Sequence, residues 1–347
     1  MDRLRSRVDA VLAAFLDARL DTVRDGAVRT AFRTVRDFVL DGGDRVRPLL
    51  CYWGWRGAGG DDRPEVVRAA AALEVFHAFR LIHDDVMDGG DLRRGRPSLH
   101  RALAGQHAAR RWRGDSERFG LGTALLLGDL CMAWADELLT GCGLEPARLA
   151  AARPYYDDMR SEVFYGRYLD LLEQARGPSS PQRSLTVARY KTAKYTVERP
   201  LQLGGALAGA PPELLAAYSA FGLAAGEAFQ LRDDVLGTFG DPSVTGRSRL
   251  DDLRAGKPTV LIAHALERAD PAQRRVIETL HGDRALDEDG AARLRAVITA
   301  TGAPAAVEAM IRERDAAALE ILAAAPVPEQ ARLALEELTT AALRRTA

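Results

Sequence analysis

Apolar residues recur three and four positions apart along almost the whole chain, whereas alternating runs rich in β-branched residues are scarce. This spacing puts apolar side chains on one face of an α-helix, which is typical of helices rather than strands. Stretches such as "GAGGDDRP", "RGPSSPQRS" and "AGAPPE" separate the periodic segments and predict loops. No Ser/Gly-rich linker divides the chain. The pattern therefore predicts one all-α domain over residues 1–347, a large bundle of ten or more helices.

The composition argues against several classes of protein. The 347 residues are 47% hydrophobic and 28% charged, as in ordinary globular proteins, and the net charge of −1 gives no basis for binding nucleic acid or anionic membranes. Three cysteines without a CxxC pair predict a reduced, cytoplasmic setting. The longest apolar stretch, "LGTALLLGDLCMAWADELL", is interrupted by Asp129. We expect this stretch to be a buried helix, and we expect no transmembrane segment.

The segment "LIHDDVMDGGDLRRGRP" (81–97) places three aspartates within five residues at the end of an apolar run. Pro64 is suited to a first helical turn, so we expect one helix from there to Asp88. On that helix Asp84 and Asp88 lie within about 40° of each other, and Asp85 about 100° away. Carboxylates one turn apart repel each other unless a cation lies between them. Oxygen ligands without a cysteine or histidine cluster favour Mg²⁺.

The sequence disfavours two other interpretations of this helix. A single DDxxD is most often a solvated acidic helix end followed by a basic loop, but here the acids follow "FRLIH" directly. Glu74 and His77 form one ExxH pair, which suggests a di-iron bundle. Such a site needs two ExxH pairs and further glutamates, and the sequence offers no second pair. The magnesium interpretation is therefore favoured.

A second acidic pair, Asp233 and Asp234, occurs 149 positions after Asp84. Gly222, Gly226 and Gly237 share the stripe of Asp233, although a glycine in a helix costs about 1 kcal/mol relative to alanine. Either a bound group or another helix must approach this face closely. Because the acids lie on the same stripe, we expect a bound group.

Basic residues accompany both acidic pairs. The second pair is followed by Arg247, Arg254 and Lys257, and "ARYKTAKYTVERP" supplies Lys191 together with Thr192. Clustered cations near bound metal favour phosphate recognition. The sequence thus predicts two acidic helix ends that face each other across Mg²⁺ and a phosphate group.

These segments, in this order, resemble the trans-isoprenyl diphosphate synthases of the farnesyl and geranylgeranyl diphosphate synthase type. The matching motifs are "GGDRVRP" (42–48), "EVFHAFRLIHDDVMDGGDLRRGRP", "LLGDL" (126–130), "YKT" (190–192), "FQLRDDVLGTFGD" and "DDLRAGKPT". The resemblance implies an all-α prenyltransferase fold around a central apolar cavity. It also implies that Asp84, Asp88 and Asp233 hold three Mg²⁺ ions, with Asp85 and Asp234 in support.

The resemblance further implies two diphosphate subsites and a homodimer. The ions and surrounding side chains would bind the diphosphate of an allylic substrate, and those side chains are Arg93, Lys191, Thr192, Gln230, Arg247 and Lys257. Isopentenyl diphosphate would bind to Arg47, His77 and Arg94. Ionising an allylic C–O bond requires stabilisation of the leaving diphosphate rather than a nucleophilic side chain. No Ser/His/Asp or Cys/His arrangement is expected, and none stands out in the sequence.

Three positions depart from the family pattern. Asp44 stands where the first motif carries a lysine that contacts isopentenyl diphosphate, and Arg80 replaces a small or apolar residue four positions before the first DDxxD. Gly237 replaces the last aspartate of the second motif. Asp44 and Arg80 suggest a coupled exchange, in which a cation lost from one helix reappears on another. Alternatively, Arg80 pairs with a nearby acid and Asp44 faces solvent.

The predicted function is Mg²⁺-dependent condensation of an allylic diphosphate with isopentenyl diphosphate. An aromatic at the position of Phe79 shortens the product in the family, so Phe79 and Arg80 are product-length candidates and a C15–C20 product is expected. Asp44 and Arg80 favour the alternative of an enzyme that ionises an allylic diphosphate without isopentenyl diphosphate, as a terpene cyclase or a transferase to another acceptor. A non-catalytic partner subunit is disfavoured because both aspartate motifs are present.

Overall fold

The computed structural model describes residues 1–177, 180–242 and 248–343. Helices dominate this part of the chain, as the apolar spacing predicts. A short antiparallel hairpin pairs β1 (Leu92–Arg93) with β2 (Arg96–Pro97), with Leu92 opposite Pro97. The α-helices are α1 (Asp2–Thr22), α2 (Gly26–Leu40), α3 (Val46–Gly57), α4 (Pro64–Asp88), α5 (Leu99–Ala109), α6 (Ser116–Thr140), α7 (Pro146–Arg176), α8 (Pro181–Ala188), α9 (Arg199–Ala208), α10 (Pro212–Phe239), α11 (Asp251–Arg254), α12 (Val260–Arg268), α13 (Pro271–Leu280), α14 (Glu288–Ala300), α15 (Ala303–Ala324) and α16 (Glu329–Leu343).

Buried apolar side chains form two clusters that share helices. The larger cluster is built mainly on α1, α3, α4, α6, α7 and α9, and the smaller on α11 to α15. The helices α10 and α15 contribute to both: Phe221 and Leu322 belong to the first, and Leu231 and Val307 to the second. The two clusters are therefore linked through α10 and α15. The single domain over residues 1–347 stays a prediction.

The helix α4 lies inside the larger cluster, which explains its composition. It begins at Pro64 and ends before Gly89, which adopts the left-handed conformation (φ 65°) that glycine tolerates without strain. Its side chains from Val66 to Phe76 are almost all buried on every face. A helix that is apolar all round belongs in a core. Burial on all sides fixes the orientation of α4 and therefore the position of the aspartates in its last turns.

A ten-residue π-helical segment, Arg189–Glu198, runs between α7 and α10. Glycines on both neighbours face it: a Cβ atom added at Gly166, Gly222 or Gly226 would lie 2.3, 2.5 or 2.6 Å from a backbone atom of this segment. The expectation that a bound group approaches α10 at Gly222 and Gly226 is therefore wrong, because backbone of the π-helical segment fills that space. The prediction for Gly237 stays untested.

The helix α6 differs from the buried helix predicted for it. One face, with Ala124 and Cys131, is buried, whereas Leu125 and Leu126 are 40% and 70% exposed. The helix is therefore amphipathic. The prediction of a buried helix was wrong because a helix with many apolar residues can still leave one face exposed. By length and composition alone, α6 and α10 are the two helices within 1–177, 180–242 and 248–343 that are apolar enough to cross a membrane; the bent pair of α14 and α15 would make a third if counted as one span. The predicted absence of a transmembrane segment stays a prediction.

Candidate active site

The last turns of α4 and of α10 open into one cavity. Asp84 and Asp88, one turn apart on α4, line it from one side, and Asp233 and Asp234 on α10 line it from the other. Its volume is about 430 Å³. The convergence of two acidic helix ends, which the sequence predicts, is therefore observed.

Charged side chains make up more of the cavity lining than expected, since an apolar cavity was predicted. Apolar side chains, among them Leu81, Val187 and Phe229, form a minor part of it. The other side chains of the predicted site in its lining are Arg47, His77, Arg80, Arg93, Arg94, Lys191, Thr192, Gln230 and Lys257. Arg247 lies outside the described residues.

Arginine side chains pair with Asp84 and Asp88 of α4. Arg80 Nη1 lies 3.0 Å from Asp84 Oδ2, and Arg167 Nη2 forms an ion pair with Asp88. Arg167 also lies 3.6 Å from Asp84 and 2.7 Å from Asp170 Oδ2. Sequence reasoning missed Arg167 and Asp170. The only signal was an arginine and an aspartate three residues apart on a helix, a pattern shared by many surface ion pairs.

Opposing effects set the ionisation of Asp84. Burial raises its pKa, but the charges of Arg80, Lys191 and Arg167 outweigh burial, so the pKa lies below the ordinary 3.8. Asp84 is therefore a carboxylate at neutral pH. A charged, buried carboxylate that is already compensated by cations is ready to exchange them for a metal ion.

Asp234 is in the opposite state. Burial raises its pKa from the ordinary 3.8 to about 7, and the nearby Asp233 and Asp252 add to this rise. The amide of Gln230 donates a hydrogen bond of 2.6 Å to Asp234 Oδ1, which partly opposes the shift. In the metal-free protein, the α10 pair thus carries less negative charge near pH 7 than two free carboxylates would.

The π-helical segment brings Lys191 and Thr192 to the cavity. Lys191 Nζ donates to Asp170 Oδ2 at 2.5 Å, and Thr192 is buried beside it. π-Helical turns are rare and occur often at functional sites because they shift side chains out of the α-helical register. On the far wall, Lys257 Nζ lies 2.6 Å from Asp252 Oδ1. Both lysines therefore lie at the cavity, each bound to a buried carboxylate.

Two other predicted residues pair with each other. Arg93 forms an ion pair with Asp85, and Nε of Arg93 lies 3.1 Å from Asp85 Oδ2. Burial raises the pKa of Asp85, and the hydrogen bonds from Arg93 oppose the rise. Arg254, which the sequence placed with the phosphate-binding cations, donates instead to the carbonyl oxygen of Leu286 at 2.8 Å. It is absent from the cavity lining.

Two of the predicted acceptor residues, Arg47 and His77, contact a buried tyrosine that sequence reasoning missed. The hydroxyl of Tyr195 lies 2.9 Å from His77 Nδ1, and the guanidinium carbon of Arg47 lies 4.3 Å from the centre of its ring. Burial, reinforced by Arg47 and Arg80, holds the pKa of His77 well below its usual range. His77 is therefore a neutral hydrogen-bonding group. The signal for Tyr195 was its position four residues after Lys191, which brings it to the same side of a helical turn.

Arg94 and Asp44 lie at the same end of the cavity. Arg94 adopts φ 53° in the hairpin turn and donates to the carbonyl oxygens of Asp41 and Gly42 at 3.0 and 2.8 Å. Asp44 is exposed. Arg80 pairs with Asp84, which agrees with the alternative in which Arg80 binds a nearby acid. Asp44 is exposed but also lines the cavity, so the other part of that alternative, that Asp44 faces solvent, stays a prediction.

The product-length candidates lie in different surroundings. Phe79 is buried and packs against the rings of Phe76, Phe164 and His83, with centroid separations of 5.2, 5.8 and 4.7 Å. It is not part of the cavity lining, whereas Arg80 is. Arg80 thus lies beside Asp84 in the cavity wall. The length prediction for both residues stays untested.

The side chains fit a magnesium ion that binds together with a diphosphate. Among the described residues, no three His, Cys, Asp or Glu side chains lie close enough to hold a metal by themselves. Mg²⁺ is commonly held by one or two carboxylates plus substrate phosphates and water. Asp84 and Asp88 on one side and Asp233 on the other offer only hard oxygen donors. This donor set suits Mg²⁺ and leaves coordination positions for phosphate oxygens.

Comparison with known proteins agrees with this geometry. The family model described as polyprenyl synthetase matches residues 29–298. This chain belongs to the polyprenyl synthetase family. The resemblance read from the motifs is thus confirmed, and with it the all-α fold of this family.

Relatives of this polyprenyl synthetase cover most of its length. Geranylfarnesyl diphosphate synthase from Aeropyrum pernix is 32% identical over 289 residues, which span 82% of this chain and 84% of the relative. The (2E,6E)-farnesyl diphosphate synthase of Mycobacterium tuberculosis is 28% identical over 85% of this chain and 78% of its own. The crystal structure of geranylgeranyl pyrophosphate synthase from Corynebacterium glutamicum, complexed with isoprenyl diphosphate and magnesium, has a TM-score of 0.96 and 38% identity over 100% of this chain and 99% of its own.

Proposed function

We propose that this polyprenyl synthetase is a Mg²⁺-dependent transferase that condenses an allylic diphosphate with isopentenyl diphosphate to a trans-prenyl diphosphate. One observation carries the proposal: two acidic helix ends face a single cavity whose remaining walls carry lysines and arginines. The relatives act as prenyl diphosphate synthases, and one related structure contains magnesium and an isoprenyl diphosphate.

The side chains around the cavity suit ionisation of an allylic diphosphate. Asp84, Asp88 and Asp233 would hold Mg²⁺, which when bound neutralises the negative charge that develops on the leaving diphosphate. We propose three such ions. Arg93, Lys191 and Lys257 are placed to bind the same diphosphate, since each lies at the cavity already bound to a carboxylate that a metal–diphosphate group can compete with.

The acceptor end of the cavity suits a second diphosphate. Arg47 and Arg94 supply positive charge there, and neutral His77 can accept or donate a hydrogen bond without adding charge. Condensation joins the carbon freed from the allylic diphosphate to the double bond of isopentenyl diphosphate. The proton then released from the adduct can pass to the departing diphosphate. Apolar side chains such as Leu81 and Phe229 limit the access of water to the allylic carbon.

A second function has one observation in its favour. Asp44, exposed at the acceptor end, places a negative charge where a diphosphate would bind. In an enzyme that ionises an allylic diphosphate and cyclises it, or transfers it to a different acceptor, that charge would have no second diphosphate to repel. The same metal-binding side chains would serve both reactions.

Product analysis separates the two functions. The protein is incubated with Mg²⁺ and geranyl or farnesyl diphosphate, with and without isopentenyl diphosphate. Elongation yields longer diphosphates only when both substrates are present, and EDTA abolishes the reaction. A hydrocarbon or alcohol formed from the allylic substrate alone would support the second function instead. No turnover in either mixture would contradict both and favour a partner subunit. Asp84→Asn serves as the inactive control.

We further propose a C15–C20 product. The names of the relatives include farnesyl, geranylgeranyl and geranylfarnesyl diphosphate synthases, which differ in product length. Phe79, buried five residues before the first DDxxD, is the candidate that would shorten the chain. Replacing it by alanine and measuring product length by mass spectrometry tests this: longer products from Phe79→Ala are expected, and an unchanged product would contradict the role.

We also propose a homodimer in a reducing, cytoplasmic compartment. Leu125 and Leu126 on α6 are 40% and 70% exposed, and Phe164 and Tyr168 on α7 are 49% and 66% exposed. Large apolar side chains exposed in this number favour a partner. Light scattering should show a dimer that Leu126→Glu weakens, and a monomeric wild type would contradict the proposed dimer.

Cys51 and the other two cysteines are free and buried, as a reducing compartment permits.

A further inference from the structure

Arg80 connects the predicted metal site with the acceptor end of the cavity. Its Nη1 lies 3.0 Å from Asp84 Oδ2, and its guanidinium carbon lies 5.4 Å from the centre of the Tyr195 ring. The guanidinium carbon of Arg47 lies 4.3 Å from the centre of the same ring. Two guanidinium groups therefore share one aromatic ring. One is next to a predicted magnesium ligand, and the other is a predicted acceptor residue.

Arg47 and Arg80 together can bind an anion. Arg47 Nη2 donates to Thr196 Oγ1 at 2.7 Å, but its buried Nε has no hydrogen-bond partner in the part of the chain that the structure describes. A buried donor without a partner is costly, and two nearby cations repel each other. A dianionic phosphate group between Arg47 and Arg80 would relieve both costs. The cavity lining places both arginines in the same hollow.

Arg80 and a metal ion would compete for the carboxylate of Asp84. A magnesium ion on this carboxylate would neutralise the charge that now holds Arg80 and would repel the guanidinium. Arg80 would then be released from Asp84, while its guanidinium would stay beside the Tyr195 ring, which Arg47 also contacts. The contact with Asp84 therefore governs whether Arg80 is available to an anion at the acceptor end.

We propose that Arg80 is a metal-dependent binding residue for the acceptor diphosphate: it neutralises Asp84 in the metal-free protein and contacts isopentenyl diphosphate once metal occupies Asp84. It thereby supplies a cation that the first motif lacks because of Asp44. This inference rests on the proposed elongation function.

Titration calorimetry with Mg²⁺, in the presence of an allylic thiolodiphosphate that resists ionisation, tests the first half of the proposal, the competition between Arg80 and the metal for Asp84. Arg80→Met keeps the unbranched stem of the side chain and removes its charge, so Asp84 loses a competitor for the metal. Mg²⁺ should bind this variant about tenfold more tightly than wild type. The matched control is Arg332→Met, which removes another pair spaced four residues apart, Arg332 with Glu336 on α16; it should leave Mg²⁺ affinity unchanged. Equal affinities for Arg80→Met and wild type would overturn the proposal.

The second half of the proposal, the contact of Arg80 with isopentenyl diphosphate, is tested by measuring the affinity of the protein for isopentenyl diphosphate in two states. This affinity is measured by calorimetry in EDTA, and again with Mg²⁺ and an allylic thiolodiphosphate, a substrate analogue that resists ionisation. Arg80→Met should lower the affinity by about 10- to 100-fold in the loaded protein and by less than about threefold in EDTA. Arg80→Lys should retain most of the loaded-state affinity, and circular dichroism verifies that both variants fold.

The outcomes of this second test distinguish two failures. An equal loss in both states, or no loss in either, would overturn the metal-dependent role of Arg80 while leaving the elongation function in place. A wild-type protein that binds the allylic analogue but binds no isopentenyl diphosphate in either state would overturn the elongation function and this inference together.

Discussion

The close contact between α10 and the π-helical segment makes Gly226→Ala a sharp test of how the cavity is assembled. The added Cβ would lie 2.6 Å from Cα and 2.8 Å from Cβ of Ala193, whereas carbon atoms ordinarily approach to about 3.5–4.0 Å. The clashing atoms are not the movable end of a flexible side chain, so rotation cannot relieve the overlap. The two helical segments must separate by about 1 Å.

The expected cost follows from two opposing terms. Overpacking of this kind costs up to about 3 kcal/mol. Alanine regains about 1 kcal/mol of helix propensity, which leaves a net destabilisation of about 2 kcal/mol. Gly105→Ala is the matched control, because Gly105 is exposed in α5 and has no heavy atom within 4 Å of an added Cβ. It should gain about 1 kcal/mol. The two variants should therefore differ by about 3 kcal/mol.

The same displacement should impair catalysis. Asp233 lies seven residues beyond Gly226, about 10 Å along α10, and Lys191 lies on the opposing segment. Separating the two elements by about 1 Å misplaces the groups that bind one diphosphate, which should lower kcat/KM by about 100-fold. Urea unfolding followed by circular dichroism and steady-state kinetics measure the two effects. A Gly226→Ala protein as stable as Gly105→Ala, with wild-type kinetics, would refute the packing argument.

Three further outcomes are expected. Asp84→Asn should fold normally yet lose at least about 100-fold in product formation, because it removes a magnesium ligand; more than a tenth of wild-type activity would contradict this. Asp234 has its pKa raised from 3.8 to about 7 by burial, so the folded state binds this proton more tightly than the unfolded state. Relative to Asp234→Asn, the metal-free wild type should therefore be most stable below about pH 4 and lose about 4 kcal/mol as the pH rises to about 7, measured by urea unfolding. An unchanged difference between the two proteins over that range would contradict the assigned pKa. Glu74→Leu should destabilise the protein by about 3 kcal/mol, because the buried side chain of Arg45, only 2% exposed, loses a partner that lies 2.8 Å away. The double variant Glu74→Leu/Arg45→Met should recover much of this stability, and no recovery would contradict the pairing.

The sequence by itself determined the helical fold and the chemistry of the cavity. Helical spacing of apolar residues is a local property, so the helix from Pro64 to Asp88 could be predicted with its bounds. The spacing of Asp84 and Asp88 also fixes their common face. The order of the motifs then identified the family, since several segments in sequence carry more information than one DDxxD.

Only the tertiary structure decided which side chains meet across helices. Arg167 on α7 and Tyr195 on the π-helical segment contact α4, and Asp170 contacts Arg167 and Lys191. The spacing of these residues in the sequence did not specify any of these contacts. The glycines of α10 show the same limit, because a small residue permits close approach without specifying whether a ligand or a helix approaches. Contacts between elements far apart in the chain depend on how the helices pack, and that depends on the whole core.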